Sequence, residues 1–406
     1  MRLALLVEYY PPSRASAAVQ MSDLALAFAR QGHDVTVFTT SPEAPAPVVQ
    51  HDDAGVRVLR VPTAKVKGMG LVQRAMSEIF MSLALWRGAR RCGLSLRDFD
   101  GVIWYSPTIF LAPFVACIKH RSGARGYLIL RDIFPQWAVD AGVMRRGPAY
   151  WFFRLCERFQ YYVADVIGVQ SPANLAQVRA DTRGGRRLEV LYNWIEVERA
   201  EPASTDLLRR EGLTGKRILV YGGNMGVAQD VDNLVRLAER LRDCGDVAML
   251  LVGAGSEVER LRGVLAQRRL ANVVLVDEVD PDEFRAVLRQ CHVGLITLDR
   301  RLTTHNIPGK LLAYLEAGVP VAASVNPGND LLTMIEGSGA GIGFVNGSDA
   351  EFAEATRALV CDAPRCGAMS RAARALLVER FSVDSVTAQL LSSLTHRETL
   401  EAASTA

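Results

Sequence analysis

At 406 residues, 49% of them hydrophobic and 22% charged, the chain is too long for one hydrophobic core and reads as an ordinary folded protein of two domains. Its seven cysteines are scattered, with no CxxC and no Cys/His cluster of zinc spacing, which excludes a structural zinc framework and reads as reduced thiols in cytoplasm. The net charge of +3 hides an asymmetry, since residues 1–200 hold 25 Lys/Arg against 17 Asp/Glu and the remainder 22 against 27; a basic first half suits nucleic acid, anionic lipid or a phosphorylated substrate alike.

The first apolar run, Leu3 to Val7, stops at Glu8, too short for a signal peptide or for the roughly 20 residues a membrane-spanning helix needs. Short apolar runs recur at Val35–Thr39, Val56–Val61, Gly101–Tyr105, Tyr127–Leu130 and Val166–Val169, separated by helix-length stretches such as Ser16–Arg30 and Leu71–Arg91. The same alternation restarts at Arg217–Tyr221, Ala248–Val252, Val273–Val276, Val293–Thr297 and Pro320–Ser324. Strand and helix in alternation predict a parallel sheet covered on both faces, here twice over: an α/β chain of two doubly wound, Rossmann-like domains. Residues 1–198 form the first expected domain and 199–380 the second, joined through the polar Glu196–Asp206 segment; residues 381–406 are expected to pack back on the first. Ligands of such sheets bind beyond the carboxyl ends of the strands, so the chemistry is expected in the loops there, in a cleft between the domains.

Four stretches of the first half hold candidates. After the first strand, "EYYPPSRAS" brings Tyr10, Pro12, Ser13, Arg14 and Ser16 to the head of a long helix, either an anion-accepting helix start or a plain capped one. The stretch "MGLVQRAMSEIFMSLALWRGARRC", Met69 to Cys92, is either a buried helix with a basic end or a helix lying on a bilayer with Arg87, Arg90 and Arg91 toward lipid phosphates. Asp98-Phe99-Asp100 is one of three Asp-x-Asp strings, with Asp230-Val231-Asp232 and Asp280-Pro281-Asp282; all read better as local structure than as metal ligands, and no metal is expected. "LILRDIFPQW" places Arg131 and Asp132 at the end of a buried strand, where a charged pair is costly unless paired or used, and Phe134 and Trp137 beside it form either an apolar ligand wall or core.

In the second half, "YGGNMGVAQD" follows a strand with Gly222, Gly223 and Gly226, permitting a tight turn and close backbone approach to an anion; it has neither dinucleotide nor P-loop spacing, so a plain strand-to-helix turn remains the alternative. "VGAGSEV" carries Gly253 and Gly255, but Val258 stands where a third small residue belongs, against NAD. "TTHNIPGKLLAYLEAG" crowds Thr304, His305, Asn306, Pro308, Gly309 and Lys310 before a helix whose one acid is Glu316. No Ser/His/Asp or Cys/His grouping and no HExxH is present.

Taken in order, "LVEYYPP", "MSDLALAFARQGHDVTVFTT", "VLYNWIE", "YGGNMGVAQDVDNL", "LLVGAGSEVERL", "VGLITL" and "PGKLLAYLEAGVPVAAS" resemble the retaining GT-B glycosyltransferases of family 4 over nearly the whole chain. "YLILRDIFPQWAVDAG" and "THNIPGK" with "NPGND" resemble the members that transfer N-acetyl-L-fucosamine or related sugars in bacterial O-antigen and capsule assembly. The resemblance implies departure of a nucleoside diphosphate and same-face attack by an acceptor hydroxyl, with no cofactor and no metal. Its partners would be a nucleotide-diphosphate sugar, UDP first, and a saccharide on undecaprenyl diphosphate at the cytoplasmic face of the inner membrane; no nucleic acid partner is implied. The family's Glu-x7-Glu motif falls on His305 and Ala313, so both glutamates are missing, and Glu316 lies one turn on. The usual Arg and Lys after the first strand of the second domain are absent too, with Asn224 and Gln229 in that stretch. Lys310 with the amides of Gly309 and Lys310 is therefore expected to meet the diphosphate. Arg131, Asp132 and Lys310 are the catalytic candidates; Gly222, Gly223, Asn224, Thr304, His305, Asn306, Pro308, Gly309, Lys310 and Glu316 the donor contacts; Tyr10, Pro12, Ser13, Arg14 and Ser16 the acceptor contacts. A nucleotide-sugar epimerase of similar fold, or a non-catalytic nucleotide-sugar-binding subunit, are the rival readings.

Overall fold

The computed structural model describes all residues except 14, 53, 64–77, 107, 132, 141–143, 183–185, 198–203, 303–306 and 397–406. Two compact units result, one formed by Met1–Ile195 with the segment from Val383 onward, the other by Glu196–Ser382.

The strands of the first unit are β1 (Arg2–Leu6), β2 (Asp34–Ser41), β3 (Val48–His51), β4 (Arg57–Pro62), β5 (Gly101–Tyr105), β6 (Arg125–Leu130), β7 (Val166–Val169) and β8 (Arg187–Val190). They lie in the order β3-β4-β2-β1-β5-β6-β7-β8, all parallel except the β3–β4 pair. Alternation along each strand divides the side chains between two cores. Ala4, Leu6, Val102, Trp104, Leu128 and Leu130 go to one face, and Leu3, Leu5, Ile103, Tyr105, Tyr127 and Ile129 to the other. Both faces are dry because helices cover both, which is why these strands read as continuous apolar runs. The helix Ser16–Arg30 has the limits expected of it and buries Met21, Leu24 and Phe28.

The Val383–Thr395 helix packs against Ser16–Arg30 and β6. Gln389 and Ser393 donate to the Glu189 carboxylate at 3.0 Å, and the Tyr127 hydroxyl donates to it at 2.8 Å. This half-buried carboxylate is tolerable because these three donors and the Arg187 guanidinium, 3.2 Å away, replace its water.

Of the stretch 69–92, residues 69–77 lie outside the described ones. The rest forms a helix, Met81–Arg91, that turns Met81, Leu85 and Ala89 into the core and leaves Arg87, Arg90 and Arg91 exposed. Its apolar side is thus spent on the protein interior, which matches, for these described residues, the first of the two alternatives, a buried helix with a basic end.

The second unit holds β9 (Arg217–Gly222), β10 (Val247–Val252), β11 (Val273–Val276), β12 (Val293–Thr297), β13 (Val321–Val325) and β14 (Gly341–Val345). Their order is β11-β10-β9-β12-β13-β14, all parallel. Counted within the unit this is 3-2-1-4-5-6, the dinucleotide-fold order, in which the strand order reverses between its first and fourth strands. The crevice at that reversal lies beyond the carboxyl ends of β9 and β12.

Candidate functional site

A cavity of about 920 Å³ occupies that crevice, in the size range of small-molecule sites. Four loops and two helices supply its walls, Pro281 and Phe284 coming from the Pro281–Leu288 helix. Gly222 ends β9 and Gly223 and Asn224 follow it, Gly253 and Gly255 follow β10, Glu278 and Val279 follow β11, and Leu298 and Leu302 follow β12. Pro308, Gly309, Lys310 and Ala313 come from the head of the Lys310–Ala317 helix.

Glycine makes this crowding possible. The amide of Gly223 donates to the Val252 carbonyl at 2.9 Å, that of Met225 to Ala254 at 2.8 Å and that of Gly253 to Val276 at 3.1 Å, lacing three strand ends together. Gly253 has φ +153°, and a Cβ there would sit 2.0 Å from the Gly223 carbonyl oxygen. Asn224 and the amide of Gly226 both donate to the Gln229 side-chain oxygen, at 3.1 and 3.0 Å, which pins the turn after β9.

Lys310 is the one cation among the described lining residues, and Glu278 the one carboxylate. The Lys310 Nζ stands 3.7 Å from the centre of the Tyr221 ring, held by the ring's negative face. Burial, which disfavours the charged form, lowers its pKa to about 7. Tyr221 is itself fixed by donating to the Asn224 carbonyl at 2.8 Å. Behind them the buried Tyr314 hydroxyl accepts from the Gly222 amide at 3.1 Å and lies 3.1 Å from the Leu295 carbonyl, tying β9 to β12 beneath the cavity floor. The arrangement is a concave, largely apolar site with a poorly solvated ammonium and a helix start turned into it, which chemically is a receptor for an anion on an organic body.

The sequence candidates divide accordingly. Gly222, Gly223, Asn224, Pro308, Gly309 and Lys310 all line the cavity. Thr304, His305, Asn306, Asp132 and Arg14 lie outside the described residues. Glu316 is not among the lining residues; its side chain is 11% exposed and pairs with Arg285 at 3.1 Å, because three residues of helix carry it past the cavity wall toward the Pro281–Leu288 helix. Ala313, where the resemblance sought a glutamate, does face the cavity.

Arg131, 6% exposed, donates to the carbonyls of Leu191 (2.6 Å) and Tyr192 (3.1 Å) and lies 5.1 Å from the Trp194 ring centre. These two bonds brace the chain after β8. Tyr10 is buried in the first unit's core, with Arg60 5.8 Å from its ring centre, while Pro12 and Ser16 are exposed and Ser13 half-buried beside the helix start. Phe134 packs against Phe153 with the rings tilted at 59° and 5.2 Å between centres. The aspartate strings serve local structure. Asp100 accepts from the Arg2 amide at 2.7 Å, Asp230 pairs with Arg236 and Asp232 with Arg260, and Asp280 caps the helix that Pro281 begins. Among the described residues no group of three or more His, Cys, Asp or Glu is placed to hold a metal.

Sequence reasoning missed Tyr221 as the platform under Lys310, Glu278 and Val279 on the β11 loop, and Phe284 in the wall. Tyr221 was legible only as a strand residue; its place at a carboxyl end was the available signal.

The glycosyl transferase 4-like domain family matches residues 17–194, and the glycosyl transferases group 1 family matches residues 216–362. The chain belongs to the GT-B glycosyltransferases. It is 25% identical over 333 residues to the putative colanic acid biosynthesis glycosyl transferase WcaI of Escherichia coli K12, covering 76% of this chain and 79% of that one. Similar solved structures include the sucrose-phosphate synthase of Thermosynechococcus elongatus, with TM-score 0.70, 15% identity and coverage of 97% and 98%. Anabaena HepE in complex with UDP and glucose superposes with TM-score 0.65, 15% identity and coverage of 97% and 99%. This glycosyltransferase thus has the fold of those two structures, and both family matches fall within its two units.

Proposed function

We propose that this glycosyltransferase moves a sugar, N-acetyl-L-fucosamine or a related one, from a UDP-type donor to a lipid-linked saccharide in surface polysaccharide synthesis, with retention and without a metal. The observation that carries the donor assignment is Lys310, a half-buried ammonium over Tyr221 at the start of a helix in a 920 Å³ cavity. A diphosphate entering there supplies the missing counter-charge, and the preorganised cation and helix dipole stabilise the charge that grows on the leaving group. The name of the WcaI relative and the UDP of the HepE complex support the polysaccharide and donor readings. The lipid-linked saccharide, with its own phosphates, suits the basic first half and work at the cytoplasmic face of the inner membrane. Asp132 and the residues Thr304, His305 and Asn306 are proposed to orient acceptor and sugar.

Thermal shift across UDP-, GDP- and dTDP-sugars tests the donor reading: stabilisation by one class is expected, and none by any would sink it. Mass spectrometry of lipid-linked intermediates in cells lacking the protein names the step from the size of the acceptor that accumulates. Ala313 in the wall, where the family resemblance places a glutamate, favours one second reading, a nucleotide-sugar-binding subunit that does not turn over. Unchanged glycan assembly with Lys310→Ala would support it.

A further inference from the structure

The helix Pro148–Val163, "PAYWFFRLCERFQYYV", is built the wrong way round for one that faces water. Its buried side includes Glu157, 1% exposed, which accepts from the Tyr161 hydroxyl at 2.7 Å and pairs with Arg154. Gln160 and Tyr161 are buried beside it. The outward side carries Trp151, Leu155 and Tyr162 at 62%, 67% and 71% exposure, with Phe152 and Phe159 also exposed. At about 3.6 residues per turn, these five side chains fall within roughly a third of the helix circumference, a continuous stripe about 16 Å long. Glu157 is the only acid in the helix, so the outward face has none, and exposed Arg158 lies at the stripe's edge. Exposed Arg145 and Arg146 precede the helix, and Arg186 lies 5.2 Å from the Tyr162 ring centre. Among the described residues no helix is long and apolar enough to cross a membrane.

We propose that this face is a membrane-docking surface, which seats the protein on a bilayer rich in anionic lipid by laying Trp151, Leu155 and Tyr162 into the headgroup boundary while the arginines meet lipid phosphates. Aromatic and leucine side chains with an arginine rim are the composition that binds such an interface. Charge decides against a second copy as the occupant. Two copies meeting through this helix would bring both sets of arginines together with no exposed acid on either helix to answer them. The proposal deepens the reading of a lipid-linked acceptor and rests on it for its purpose, but it concerns a surface remote in sequence from the donor cavity residues.

The test is flotation of the full-length protein with vesicles of phosphatidylglycerol and phosphatidylethanolamine, against vesicles of phosphatidylcholine alone. The protein is expected to float with the anionic vesicles. Trp151→Gln with Leu155→Gln and Tyr162→Gln, all at exposed positions, is expected to lower vesicle affinity by on the order of tenfold or more. Arg145→Glu with Arg146→Glu and Arg158→Glu is expected to remove the preference for anionic lipid. A triple glutamine variant that melts like the parent yet floats unchanged would overturn the proposal, as would a parent that does not float. A parent that instead dimerises in sedimentation, and loses the dimer in the triple glutamine variant, would show a second copy on this face. Donor-induced thermal stabilisation is measured on the same variants. Its retention with loss of flotation separates this surface from the donor reading, and its absence in the parent counts against the donor reading alone.

Discussion

A half-buried lysine whose charge is disfavoured by desolvation makes binding of an anion sensitive to pH. With its pKa near 7, Lys310 is charged below that pH, and a diphosphate then binds without proton uptake. Above it, binding must first restore the ammonium, so affinity is expected to fall by up to about tenfold per pH unit until the higher pKa of the complex is passed. Calorimetric titration of UDP between pH 6 and 9 measures this, and Lys310→Met should bind weakly and without the slope. The free protein follows the opposite course. An unfolded lysine holds its proton to its ordinary pKa, so the burial penalty is complete below about pH 7 and fades as pH rises toward 10.5. The same substitution should therefore raise the melting temperature measured near pH 7. That Lys310 would line a cavity was legible in its place at the head of a helix; that it would lie on Tyr221 was not, because those residues are 89 apart and meet only through the β9–β12 reversal.

Among the elements, the loops after β9, β10 and β11 act as one laced unit, and the glycines are where the lacing is tightest. Gly253→Ala forces a Cβ into the Gly223 carbonyl, a backbone atom that cannot swing aside. It is expected to cost about 1–3 kcal/mol in denaturant unfolding and to weaken nucleotide binding. Gly263 is a contrast within the helix Val258–Gln267, where an added Cβ meets nothing within 4 Å. Gly263→Ala should stabilise by about 0.5–1 kcal/mol. The strands whose apolar runs are unbroken were legible with limits close to those observed. Three were not, each for a local reason. β3 is a short edge strand with exposed Gln50 and His51, β8 interrupts its apolar residues with Arg187 and Glu189, and β14 is diluted by Gly341 and Gly343.

For the whole molecule, the described lining of the cavity comes wholly from the Glu196–Ser382 unit, while the aromatic stripe belongs to the other. Hydrogen exchange with saturating UDP should therefore slow the amides of residues 222–224, 252–255 and 308–313, and anionic vesicles should slow those of 148–163 instead. Protection of the 148–163 helix by UDP would contradict this division of tasks. Hydrophobic alternation by itself determined two parallel α/β units and the place of their loops, because period and run length are local properties that survive without tertiary contacts. Only the tertiary structure decided that Glu316 turns to Arg285 while Ala313 meets the cavity, that Arg131 reaches the backbone carbonyls after β8, and that the exposed apolar face lies on 148–163 rather than 81–91. Those outcomes depend on which neighbour reaches a side chain first, and neighbours distant in sequence are supplied by the fold alone.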